Sequence, residues 1–246
     1  MRMAVLGDEV SGPLSSDAFK WDKVVQNIEQ LALQRCYERL NKIVSLGLVD
    51  SLRRKAAGMV LKRGVILDVG CGPGTSSIAI RMQDKESKIL MLDPSINMLY
   101  IAKATVNGLA IPVQGIFERL PFKDSSIDSI VAMFSFRDSI DYEAALDEFK
   151  RVLKDDGRLI ILDLFRPSNS IVKSLAKFYL FLMSYLGSIL TLCLKSGGHY
   201  SMITKTLDRM YTVDGLKEVL SRKFKNVIVH KGPIIVHIVV AEGPLR

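Results

Sequence analysis

The chain has 246 residues, 48% of them hydrophobic, with a formal charge of +8 and a mean hydropathy of +0.21. This length buries a full core in one large domain, and the basic balance leaves nucleic acid, an anionic membrane face or an acidic substrate as partners. Cys36, Cys71 and Cys193 lie far apart with no Cys-x-x-Cys pair, which argues against a zinc site or a disulfide framework and fits a reducing cytosol. The opening MRMAVLGDEVSG meets Asp8 and Glu9 before any long apolar run, so no secretory signal is expected there.

Residues 1–18 read as a loose arm and 19–62 as a helical cap, helical from Trp21 to Ala57 with a break near Ser45-Leu46-Gly47. Strands and helices then alternate. Strands are expected at Gly64–Val69, Lys88–Leu92, from Ile111, at Ser126–Met133 and at Arg158–Leu164. Helices are expected at Ser76–Met82, Ile96–Val106 and Tyr142–Leu153. Such alternation builds an α/β fold with a parallel sheet covered on both faces. Residues 63–168 form this core, 169–212 a helical insert, and 213–246 a last helix and two strands. Only Lys231-Gly232-Pro233 separates these strands, so they are expected to pair as an antiparallel hairpin.

The turn after the first strand is LDVGCGPGT, with Asp68 followed by Gly70, Gly72, Pro73 and Gly74. Glycines at the carboxyl end of a strand let backbone approach a ligand with no Cβ in the way. The spacing is G-x-G-x-G. Thr75 stands where the dinucleotide pattern has its third glycine, and no Gly-Lys-Ser/Thr follows, which excludes a P-loop. The second strand ends in Asp93, where a carboxylate accepts hydrogen bonds from both ribose hydroxyls of an adenosine.

LDVGCGPGT, MLDPSINML, ERLPFKDSSIDSIVAMF and EFKRVLKDDGRLIILDL resemble the successive motifs of class I S-adenosylmethionine-dependent methyltransferases. The resemblance implies a Rossmann-like sheet of seven strands, mostly parallel with an antiparallel last strand, and S-adenosyl-L-methionine as cofactor. It implies that Asp68, Gly70, Gly72, Pro73 and Gly74 line the cofactor, that Asp93 binds the ribose and that Met98 covers the adenine. Ile116, Phe117, Met133 and Phe134 complete the implied site. YERLNKIVSLGLVDSLRRKA, SIDSIVAMFSFRDSID and PIIVHIVVA are similar to segments of the quinone-biosynthesis C-methyltransferases, which methylate the rings of ubiquinone and menaquinone precursors. That likeness implies a lipophilic small-molecule acceptor. Two departures stand out. Ile116 replaces an aspartate that commonly accepts the adenine amino group, removing a hydrogen bond worth about 1 kcal/mol. Asp138 replaces an asparagine beside Arg137.

For attack by a ring carbon, a phenol must lose its proton, and a cation beside its oxygen favours the phenolate. Arg137, just past strand four, takes this role, and Asp138 or Asp141 receives the proton through water. Tyr37, His199 and Tyr200 are candidates for the acceptor side, while His230 and His237 read as structural. Phe178–Leu194 is uncharged throughout, short for a membrane span, and followed by strands of the same sheet. It reads either as a helix capping the sheet or as a lid that receives a prenyl tail or rests at the bilayer surface, with Lys173, Lys177 and Lys195 near headgroups. The expected location is the cytoplasm, with peripheral membrane contact open. A homodimer is compatible with the sequence. No metal site is expected. Nucleic acid is not expected as the substrate, because no Asp/Asn-Pro-Pro-aromatic motif follows strand four. A lipid-headgroup or other small-molecule N- or O-methyltransferase, and a binding module with a decayed site at Ile116, remain as alternatives.

Overall fold

The computed structural model describes residues 36–190 and 197–246. The expected arm, and the part of the cap before Cys36, lie outside the described residues. Two helices of the cap are seen, α1 (Cys36–Val44) and α2 (Val49–Ala57). They part at the expected place because Leu46 and Gly47 take φ of 51° and 79°, and the Gly47 amide closes back on the Lys42 carbonyl at 2.7 Å.

β1 (Val65–Val69), α3 (Thr75–Gln83), β2 (Lys88–Asp93), α4 (Ile96–Val106), β3 (Ile111–Gln114) and β4 (Ile127–Met133) follow in alternation. A single 3₁₀ turn, Phe136–Asp138, leads to α5 (Tyr142–Val152) and β5 (Leu153–Leu164). The described residues of the insert form two helices, α6 (Ser170–Leu190) and α7 (Gly197–Arg209). The chain closes with α8 (Val213–Ser221), β6 (Phe224–Lys231) and β7 (Val236–Pro244). β5 begins earlier than its apolar run suggested, because Leu153 pairs beside Ile127 before a register shift at Ser129. β7 begins later, because the Val236 amide first closes a turn on the Pro233 carbonyl at 2.9 Å.

The sheet order is β3-β2-β1-β4-β5-β7-β6. β7 is antiparallel to both β5 and β6, and the pairs among β1 to β5 are parallel. Side-chain alternation sorts the strands into two cores. Leu67, Leu92, Ile130 and Ile161 pack with Phe149 of α5 and Leu216 of α8 on one face. Ile66, Met91, Val131 and Ile160 pack with Ala56 of α2, Ile80 of α3 and Leu99 of α4 on the other. The strand order reverses between β1 and β4, which leaves a crevice beyond their carboxyl ends.

Candidate active site

Four strand exits meet at this crevice. The first is the glycine turn after β1. Gly70, Gly72 and Gly74 take φ of 65°, 51° and 87°. A Cβ on Gly70 would lie 2.5 Å from Ser135 Cβ and 2.9 Å from Phe117 Cζ, so this glycine lets the β1, β3 and β4 exits close together. A Cβ on Gly72 would meet nothing within 4 Å, which leaves bare backbone facing open space. Asp93, at the end of β2, accepts from the Gly72 amide at 2.9 Å and from the Ser95 amide at 3.0 Å, which fixes its carboxylate beside the turn.

Asp68 is fully buried. One oxygen accepts from Ser77 Oγ at 2.6 Å, and the other, Oδ1, has no partner among the described residues. Burial pushes its carboxyl up to about 7, against the pull of Ser77 and Arg53. A buried acceptor without a donor calls for a ligand that brings one. The methionine end of S-adenosylmethionine carries an ammonium, and its ribose carries two hydroxyls for Asp93, so the residues present fit this cofactor.

The remaining expected residues divide. Phe117 is buried with its ring against Phe149, and Ile116 is exposed at the β3 exit, bridged to Arg119. Met133 is buried, and Phe134 takes a φ of 60°, rare for a residue with a side chain, as β4 turns outward. Met98, expected over the adenine, is 2% exposed at the first turn of α4. Tyr37 lies on α1, and His199 and Tyr200 on α7, but their side chains lie outside the described residues.

Arg137 is 8% exposed and lines a cavity of about 420 Å³. The cavity walls are almost wholly apolar: Val44 and Leu52 from the cap, Tyr179 from α6, Ile203 from α7, and Phe134 beside Arg137. Arg137 is held on several sides. Its Nη1 donates to Asp163 Oδ1 at 2.8 Å and to the Phe134 carbonyl at 2.7 Å, and its amide donates to Asp163 Oδ2 at 3.0 Å. Asp163 was missed in the sequence, although a lone acid ending the apolar run of β5 was its signal. Asp138 lies 3.7 Å from Arg137 Nη2, and burial with Asp163 nearby raises its carboxyl to about 6 against the pull of Arg137 and Arg209. Asp141 has a different task from the one expected. It is exposed and caps α5, its Oδ1 accepting from the amides of Glu143 and Ala144 at 3.0 and 3.1 Å. That oxygen is therefore engaged in holding a helix end. His237 is structural in its contacts, stacked on Phe165 and accepting from the Gly232 amide at 3.2 Å.

Lys173 and Lys177 both pair with Asp208 of α7, so their charges hold the two helices together. Lys195 lies outside the described residues. No helix among them is long and apolar enough to cross a membrane.

The sheet order, with one antiparallel strand and a glycine turn at its switch point, defines a class I methyltransferase fold. A solved structure described as a SAM-dependent methyltransferase, possible histamine N-methyltransferase, from Thermotoga maritima shares that fold. Its TM-score is 0.64 at 20% identity, over 89% of this chain and 99% of that one. Residues 18–238 match the ubiE/COQ5 methyltransferase family, and the chain belongs to it. It is an S-adenosylmethionine-dependent methyltransferase. A relative from Lactobacillus johnsonii, described as a demethylmenaquinone methyltransferase, is 31% identical over 204 residues, 79% of this chain and 82% of the relative. One from Bacteroides fragilis with the same description is 29% identical over 218 residues, 85% of this chain and 87% of the relative.

Proposed function

We propose that this enzyme methylates a ring carbon of a prenylated quinol in quinone biosynthesis. The observation that carries the reading is the largely apolar cavity that Arg137 lines, which offers a cationic anchor for a phenol oxygen and a greasy wall for an isoprenoid tail. The names of the Lactobacillus and Bacteroides relatives point to a naphthoquinol as the ring. When bound, the cofactor supplies a methyl group on sulfur with its leaving group already activated. The chain's own work is to position the acceptor and raise its nucleophilicity. Arg137, held at fixed orientation by Asp163, stabilises charge on the phenol oxygen. Asp138, raised to about 6 and ionised at neutral pH, takes up the phenol proton through water.

The same reading brings the protein to the bilayer in which such acceptors dissolve. Ile171, Leu175, Phe178, Phe181 and Leu190 are each at least 62% exposed along α6, whose other face lines the cavity through Ala176, Tyr179 and Leu180. A membrane surface covers this stripe at the cavity mouth. Lys173 and Lys177 share the single carboxylate of Asp208, which leaves one positive charge there, so apolar insertion carries most of the contact. Flotation with zwitterionic vesicles tests this, Phe178→Ser/Phe181→Ser being expected to stay in solution. Self-association of the wild type without vesicle binding would assign the stripe to a second copy instead.

The direct test of the reaction is methyl transfer from labelled S-adenosylmethionine to chemically reduced demethylmenaquinone, read by mass spectrometry. A methyl gained on the ring supports the proposal. Label on a headgroup amine of added phospholipid, with none on the quinol, overturns it.

A further inference from the structure

Arg53 on α2 is a buried cation without a role in the steps above. It is 4% exposed. One edge of its guanidinium is engaged: Nη1 lies 3.0 Å from Glu38 Oε2 and 3.6 Å from Asp50 Oδ1, and Nη2 lies 3.4 Å from Glu38 Oε1. Its centre sits 5.8 Å over the Phe134 ring. The other edge begins at Nε, which is buried and has no partner among the described residues.

The surroundings place this edge at the cofactor crevice. Glu38 also accepts from Thr75 Oγ1 at 3.1 Å, and Thr75 is the first residue of α3, directly after the glycine turn. Phe134 follows β4, the strand beside β1. Arg53 acts electrostatically on Asp68 across the same space. Two buried polar atoms on elements that border this crevice therefore lack partners among the described residues, an acceptor on Asp68 and a donor on Arg53. An amino-acid zwitterion carries the complementary pair, an ammonium and a carboxylate. Leaving a guanidinium N–H buried and unmet is costly, and a carboxylate is the group its planar fork fits.

We propose that Arg53 binds the α-carboxylate of the cofactor's methionine moiety through Nε, opposite Asp68, which receives the α-ammonium. This rests on the cofactor assignment above. The helical cap then contributes a binding residue to the cofactor site as well as a wall to the acceptor cavity. Glu38 and Asp50 hold the guanidinium from its far edge and leave the near edge to the ligand.

Calorimetric titration with two nucleosides tests it. S-adenosylhomocysteine keeps the amino-acid carboxylate, and 5′-methylthioadenosine lacks the whole amino-acid end. Arg53→Met is expected to weaken S-adenosylhomocysteine by about 10- to 100-fold, the range of a charge-assisted hydrogen bond, and to leave 5′-methylthioadenosine within about twofold. Arg53→Lys keeps the charge in the buried site without the planar fork, and is expected to fall between Arg53→Met and the wild type. It serves as the test should the methionine variant fail to fold. An equal loss for both nucleosides would make Arg53 a structural residue, and no loss for either would remove it from the site. If the wild type binds neither nucleoside, the cofactor assignment itself fails, and the proposal with it.

Discussion

Replacing Asp68 by Asn removes a carboxylate whose burial has pushed it up from 3.8 to about 7. The folded chain without cofactor holds this proton more tightly than the unfolded chain does. Folding takes up a proton between those two values, so stability falls as pH rises through that window and levels off above it. A shift of about three units corresponds to roughly 4 kcal/mol at pH 8 and about 2 kcal/mol at pH 5, as upper figures for a fully buried group. Asn cannot ionise, and its carbonyl still accepts from Ser77. Urea denaturation of the cofactor-free protein at pH 5 and pH 8 reads the difference. Asp68→Asn is expected to lose about 2 kcal/mol less stability than the wild type between the two. Cofactor affinity moves the other way: S-adenosylhomocysteine binds the variant at least about tenfold more weakly, because an amide offers no full charge to an ammonium. In the wild type at pH 6, binding expels nearly one proton, visible in calorimetry across buffers of different ionisation enthalpy. Identical pH dependence of stability in variant and wild type would refute the reasoning.

With Asp138 as the proposed proton acceptor, the rate is expected to have an acid limb. Turnover should drop below pH 6 as its carboxyl takes a proton, and Asp138→Asn should be slower and flat through that range in a pH-rate profile. Asp141→Ala removes the α5 cap and should cost about 1 kcal/mol in denaturant unfolding while kcat stays unchanged. Ala176→Phe projects into the cavity from α6, so KM for a prenylated quinol should rise by about tenfold while a tail-less naphthoquinol is little affected. Equal effects on both acceptors would place the tail elsewhere.

Much of the architecture was legible because its signals are local. The apolar run ending in Asp68, the glycines after it and Asp93 at the next strand end each report backbone needs within a few residues. Their chain order gives the switch-point crevice, and the short link before Val236 gives the hairpin. The acid Asp141 could not be assigned from order alone. A carboxylate that caps a helix and one that handles a proton look the same in sequence, and only the amides of Glu143 and Ala144 distinguish them. The same holds for charge pairing. Arg137 meets Asp163, Arg53 meets Glu38, and Lys173 and Lys177 meet Asp208, partners that no short motif links. Sequence determined the fold class, the glycine turn and the identity of the cofactor site. Tertiary structure decided which charges are spent on each other and which buried atoms are left for a ligand, because burial and pairing depend on residues brought together only when distant elements pack.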